Sequence, residues 1–129
     1  MIVVDASIVV TALADDGADG DRVRERFSGQ RLAAPHVIDL EVVSAWRRMT
    51  AAGVLDDRRV QLALEDFADL RLERAPHGPL LARCWELRNN LTVYDAAYIA
   101  LAELLTTTLV TGDTRLAEVP GTRCEVEVL

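Results

Sequence analysis

Four acids in this chain stand where a carboxylate either caps a helix or binds a ligand. Asp5 follows the apolar run Ile2-Val3-Val4, and Asp113 follows Leu109-Val110-Thr111-Gly112. Asp95 opens the alanine-rich stretch Ala96 to Ala102. Glu41 lies inside an apolar segment, Val37-Ile38-Asp39-Leu40-Glu41-Val42-Val43. Taken singly, the three aspartates read as helix caps, because Asp is favoured at that position. Glu41 is harder to explain that way. Of its helical neighbours Val37, Ile38, Ser44 and Ala45, three are apolar. A carboxylate beside an apolar stripe needs a partner arginine such as Arg48, or a metal. Several carboxylates converging with no lysine among them repel one another, and a hard cation relieves that repulsion. Oxygen ligands suit Mg²⁺ or Mn²⁺. One or two such ions activate water and neutralise charge on a scissile phosphate. Ser7 and Thr111 stand two residues from Asp5 and Asp113. Their hydroxyls either orient these carboxylates or a metal-bound water, or make ordinary cap and strand hydrogen bonds.

The elements that must position these acids follow from hydropathy. Ile2-Val3-Val4 is a short buried strand, and Ile8, Val9, Thr11, Ala12 and Leu13 continue at helical spacing. Asp15 to Asp21 is polar, carries glycine and reads as a loop. Arg22 to Phe27 reads as a second helix, and Arg31 to Ala34 as a strand that stops at Pro35. Ile38, Val42, Ala45, Trp46 and Met49 place a long helix over about residues 36–50. Asp56 or Asp57 caps the next helix, which carries Val60, Leu64 and Phe67. Leu70 to Arg74 alternates as an edge strand does. Pro76 and Pro79 bracket a loop, a helix carries Leu80, Leu81, Cys84, Trp85 and Leu87, and Asn89-Asn90 fray its end. Thr107 to Thr111 is a further strand, a short helix runs through Leu116, and Cys124 to Val128 alternates as a last edge strand. Strands alternating with helices predict an α/β fold with a mainly parallel sheet of four to five strands and helices on both faces. Ligands of such sheets bind at the carboxyl ends of the strands. Asp5 and Asp113 end two strands of that kind, which places them close together.

Composition narrows the chemistry. The chain has 129 residues, enough for one domain over residues 1–129 with a single core. Half its residues are hydrophobic, which argues against disorder. Every one of the 14 basic residues is arginine. The missing lysine removes Walker-type phosphate binding, Schiff-base chemistry and lysine general bases. The net charge of −7 does not suit a sequence-independent nucleic-acid binder, so a metal, a local basic patch or a basic protein partner must intervene. Cys84 and Cys124 are far apart and form no CxxC pattern. A thiolate metal site is not expected, and reduced thiols fit better than a disulfide. No apolar run approaches the ~20 residues of a membrane span, and no secretory leader opens the chain. The expected setting is cytoplasmic. His36 and His77 flank loop prolines without ligand-spaced partners and read as structural. Tyr94, Tyr98, Trp46 and Trp85 read as core and interface residues.

Four motifs in order carry a resemblance. They are Ile2-Val3-Val4-Asp5-Ala6-Ser7; Pro35 with Glu41 six residues on; Tyr94-Asp95-Ala96-Ala97-Tyr98-Ile99-Ala100-Leu101-Ala102; and Val110-Thr111-Gly112-Asp113. Together they resemble the PIN-domain ribonucleases, and their order, spacing and length resemble the VapC toxins of bacterial toxin–antitoxin pairs. The YDAAYIALA block with TGD is the specific part. The resemblance implies a PIN-like three-layer α/β/α sandwich and a site of Asp5, Glu41, Asp95 and Asp113 holding Mg²⁺ or Mn²⁺. It implies endonucleolytic cleavage of RNA, frequent dimerisation and inhibition by a small VapB-like antitoxin whose C-terminal segment enters the acidic site. The −7 charge fits that partner better than naked RNA. Thr114 and Arg115 follow Asp113, so no fifth acid is assigned there.

The expected chemistry is therefore metal-assisted hydrolysis. Asp5, Asp95 and Asp113 hold the metal, and Glu41 completes the set or orients water. The clustered Arg22, Arg24, Arg26, Arg47 and Arg48 are the candidates to guide RNA, although a solvated helix face explains them as well. A haloacid-type phosphatase wants a second aspartate at position 7, where Ser7 stands, and a phospho-receiver wants a lysine. The competing reading from another class is a non-catalytic PIN-fold module that binds a protein partner. Metal binding separates the two.

Overall fold

The structure, a computed structural model, describes residues 1–129. Its centre is β1 (Ile2–Val4), three apolar residues fully buried between neighbours on both sides. Continuous apolar strands of this kind suit a sheet covered on both faces. The order is β3-β2-β1-β4-β5, every pair parallel, with β2 at Leu32–Pro35, β3 at Leu72–Ala75, β4 at Leu109–Thr111 and β5 at Val126–Val128. The expected α/β fold is thus observed, with five strands and no antiparallel pair. β3 and β5 are the edges, as their alternating sequences predict.

Helices flank this sheet in two groups. α1 (Ala6–Ala14) packs against α2 (Ala18–Phe27), α3 (Ile38–Ala51) and α4 (Asp57–Asp69). α6 (Val93–Leu104) packs against α5 (Leu81–Glu86) and lies on β1, β2 and β4. In α3 the buried positions Ile38, Val42 and Trp46 recur every four residues, and Trp46 meets Phe67 of α4 edge-on at 6.1 Å. α6 buries every residue from Ala96 to Ala102, which is why its sequence shows no polar face. Asp56 caps α4 by accepting the Arg59 N–H at 2.7 Å.

Several boundaries differ from expectation: β2 runs through Pro35, where the sequence predicts the strand to stop, and β4 begins at Leu109 rather than Thr107. α2 begins at Ala18, inside the stretch read as a loop. Gly20 lets it do so, because a Cβ there would stand 1.9 Å from the Asp15 carbonyl oxygen. The helix expected after Pro79 is split into a 3₁₀ turn at Gly78–Leu80 and the short α5. Asp95 does not cap α6. Thr92 does, its hydroxyl accepting the Asp95 N–H at 3.1 Å, so Asp95 lies one turn inside the helix. Both cysteines are free, and no helix is long and apolar enough to cross a membrane.

Candidate active site

In the register of β1 on β4, Val4 stands beside Val110. One step further on, Asp5 meets Thr111 at the carboxyl edge of the sheet. Asp5 is 6% exposed and Thr111 fully buried, the only polar residues in the core. A buried carboxylate needs donors, and Asp5 has three. Its Oδ1 accepts the Ser7 hydroxyl at 2.6 Å and the Ile8 N–H at 3.1 Å. Its Oδ2 accepts the Thr111 hydroxyl. Both hydroxyls are themselves held by the turn after β4. The Gly112 N–H donates to Ser7 Oγ at 3.0 Å, and the Asp113 N–H donates to Thr111 Oγ1 at 3.0 Å. A Cβ at Gly112 would press to 3.2 Å from Ser7 Oγ. Ser7 and Thr111 therefore do what the sequence suggested as one possibility, orienting the Asp5 carboxylate. Asp5 is also the N-cap of α1.

Glu41 projects from the first turn of α3, half-buried. Its hydrogen-bond partner is not Arg48, the arginine offered as one alternative. The Tyr98 hydroxyl of α6 donates to Glu41 Oε1 at 2.5 Å. Tyr98 is 1% exposed, and burial followed by the neighbouring Glu41 carboxylate pushes its phenol far above the usual range. It stays a donor at any working pH. Reading Tyr98 as a plain core residue missed this contact. The signal was its position three residues after Asp95, on the same face of α6.

The acids act on one another. Burial raises the Asp5 carboxyl above the usual range, with the Asp95 charge adding to it against the three hydrogen bonds. Burial likewise raises Glu41, and the charges of Asp95 and Asp5 raise it further. Asp95 is raised by burial and then by Asp113. Asp113 goes the other way, because hydrogen bonds from Arg115 lower it. That guanidinium spans both Asp113 oxygens, at 2.6 Å for the shortest contact.

The four expected ligands are therefore electrostatic neighbours, but no three of them are already drawn close enough to hold a metal ion. Asp113 is turned onto Arg115, and Glu41 is held by Tyr98. The donor set fits a hard divalent cation nonetheless. It offers only carboxylate and hydroxyl oxygens, and the burial and, after it, the mutual repulsion that raise Asp5, Glu41 and Asp95 are what such a cation relieves. His77 is occupied elsewhere, its Nε2 accepting the Val37 N–H at 3.0 Å at the start of α3, with His36 packed edge-on against it. Asp39, two residues before Glu41, accepts the Arg74 Nε–H through both its oxygens. Of the clustered arginines, Arg22, Arg24 and Arg26 are paired with Asp19, Asp21 and Glu127.

Comparison with known proteins points the same way. The PIN domain family model matches residues 2–122. The chain is 41% identical over 128 residues to ribonuclease VapC1 of Mycobacterium tuberculosis, covering 98% of this chain and 96% of that protein. Among solved structures, PAE2754 from Pyrobaculum aerophilum superposes with a TM-score of 0.72 at 24% identity, covering 98% of this chain and 90% of that one. VapBC2 from Rickettsia felis, solved bound to a DNA fragment from the promoter, gives a TM-score of 0.69 at 18% identity over 100% and 99% of the two chains. The structural matches carry the fold alone, whereas the family match and the VapC1 identity carry kinship.

Proposed function

This chain belongs to the PIN domain family, among its VapC ribonucleases, and we propose that it is a metal-dependent endoribonuclease toxin. It hydrolyses RNA phosphodiester bonds, and it arrests translation and growth unless a cognate VapB-like antitoxin neutralises it. Asp5, Asp95 and Asp113 hold Mg²⁺ or Mn²⁺ directly or through water, with Glu41 completing the set. The bound cation supplies an activated water and neutralises charge on the scissile phosphate. The chain's own part is positional. Ser7, Thr111 and the Ile8 N–H fix Asp5 in one orientation. Tyr98 fixes Glu41 without neutralising it. Arg115 pairs with Asp113, which would have to leave that pair to hold the cation.

The observation that carries this reading is the state of Asp5, Glu41 and Asp95. Each is raised by burial, Asp5 and Glu41 also by the Asp95 charge, and none has a basic side chain hydrogen-bonded to it. A merely structural cluster would be paired off, as Asp39 and Asp16 are with Arg74 and Arg59. The net charge of −7 suits a basic antitoxin segment at this edge. Leu81, Val93 and Tyr94 leave an apolar area exposed at the cleft between α5 and α6, which suits a homodimer contact.

The test is cleavage of total cellular RNA by the purified, antitoxin-free chain with Mn²⁺, with EDTA, and with Asp5→Asn. Discrete cuts that need metal and vanish in the variant are expected. A folded wild-type chain that neither cuts RNA nor binds metal would favour the non-catalytic binding module instead.

A further inference from the structure

Beside Asp95 the surface opens into a cleft of about 450 Å³, between the α5–α6 turn and the 3₁₀ turn after Asp113. Its lining includes Arg88, Asn89, Asn90, Thr92, Asp95 and Arg115. The volume falls within the roughly 300–1,000 Å³ of clefts that take one small ligand.

The cleft is unlike the rest of the molecule in charge. The chain is strongly acidic, yet here Arg88 and Arg115, the latter paired with Asp113, stand beside Asp95. Arg47, Arg48, Arg58, Arg71, Arg88 and Arg123 have no carboxylate partner. Arg88 is the one among them that lines the cleft beside Asp95. It is also held in place. Its guanidinium lies 4.2 Å over the Trp85 ring, and its Nη1 donates to the Trp85 carbonyl at 2.8 Å. That leaves most of its donors free and costs a ligand little ordering. Trp85 is 65% exposed, a large surface for an indole. The Asn89 and Asn90 side chains make no hydrogen bond within the chain, so each offers an amide donor and acceptor to a ligand.

A guanidinium stacked on an exposed indole, with unspent amides beside it and next to the carboxylates that act on a phosphodiester, matches how proteins take single-stranded RNA. Its bases stack on aromatic and guanidinium planes and offer their edges to amides, while arginines take the phosphates. Resting on the endoribonuclease reading above, we propose that this cleft holds the nucleotide adjoining the scissile phosphate. Arg88, braced on the Trp85 ring, and Arg115 bind its phosphate, and Asn89 and Asn90 read its base edge. The α5–α6 turn is then the element that sets cleavage-site preference.

Two readouts test this. The first is affinity for a fluorescent single-stranded RNA with EDTA present, so that it is not cut, followed by anisotropy and by quenching of tryptophan emission. The second is the map of cut sites in a randomised RNA pool. Arg88→Ala should weaken binding about fivefold or more and lower the slope of log affinity against log salt by about 1. The double variant Asn89→Ala with Asn90→Ala should keep affinity within about twofold but lose preference at one position beside the cut. Arg58→Ala, an unpaired arginine on α4, should change neither readout. Thermal melting of each variant separates lost contacts from lost folding. If wild type cuts RNA and Arg88→Ala and the asparagine variant match it in affinity and in cut sites, the cleft assignment is wrong while the nuclease reading stands. If the wild-type chain neither binds nor cuts RNA, both are wrong.

Discussion

The Tyr98 hydroxyl donates to Glu41 Oε1 across 2.5 Å, joining the second turn of α6 to the first turn of α3 at the edge where the strands end. Burial and the acidic neighbours raise the Glu41 carboxyl, while the Tyr98 hydrogen bond and the Arg48 charge favour its ionised form. The hydrogen bond holds Glu41 in one orientation.

Tyr98→Phe removes that donor at almost no change in volume. A hydrogen bond to a charged group contributes about 1.5–3 kcal/mol, so unfolding free energy should fall by about 1.5 kcal/mol in a urea titration. Cleavage should fall about tenfold, because Glu41 loses its fixed orientation. Unchanged cleavage would mean that Glu41 does not need its position.

Thr111→Val tests the relay behind Asp5. It strips Asp5 Oδ2 of its donor and leaves the Asp113 N–H without its acceptor, both at the sheet edge. The expected loss is about 1–3 kcal/mol in the same titration. Ser7→Ala should cost less, since Ser7 is exposed and water can replace it. Equal losses in the two variants would contradict the difference in burial.

The raised carboxyls make a prediction about pH with a definite sign. Asp5 is held above its usual range chiefly by burial, so the folded chain keeps that proton at pH values where the unfolded chain has lost it. Its contribution to stability is full below the unfolded carboxylate value and is lost as pH rises through the raised one. Without metal, Asp5→Asn should therefore be more stable than wild type at pH 7, on the order of 1 kcal/mol, and the gap should close near pH 4. Adding Mn²⁺ at pH 7 should raise the melting temperature of wild type alone. A variant less stable at both pH values would show that the buried charge is already compensated in the metal-free chain.

Gly20→Ala should reverse the usual gain from replacing a helical glycine. Alanine in a helix is ordinarily better than glycine by about 0.5–1 kcal/mol. Here the new Cβ meets the Asp15 carbonyl at 1.9 Å, so α2 must shift on α1 at a cost of about 1–3 kcal/mol. Melting of the variant reads the sign directly.

The strands and the acids that end them were legible because a β-branched run meeting a single aspartate is a local signal. Asp5 and Asp113 needed only the parallel topology to become neighbours. Other features depend on contacts that no short window contains. The Asp15 to Asp21 segment looks like a loop by its aspartates and glycines, but Gly20 is small so that α2 can start close against Asp15. Asp95 looks like a cap because it opens the apolar run, whereas Thr92 holds that place. Tyr98 and Asp39 find partners 57 and 35 residues away. Arg115 follows Asp113 by only two residues and was read there merely as a missing fifth acid; its grip on Asp113 appears only once the 3₁₀ turn folds it back.

We propose that Asp5, Glu41, Asp95 and Asp113 together hold divalent metal, one ion or two, although they are not yet gathered around it. Titrating Mn²⁺ into the metal-free chain by calorimetry, beside Asp95→Asn, tests it most directly. Asp95 is the acid whose charge bears on Asp5 and Glu41 and which in turn feels Asp113. Saturable binding by wild type, weakened about tenfold or more in Asp95→Asn, is the expected result. Equal binding by both proteins, or none by a folded wild-type chain, would contradict a shared site.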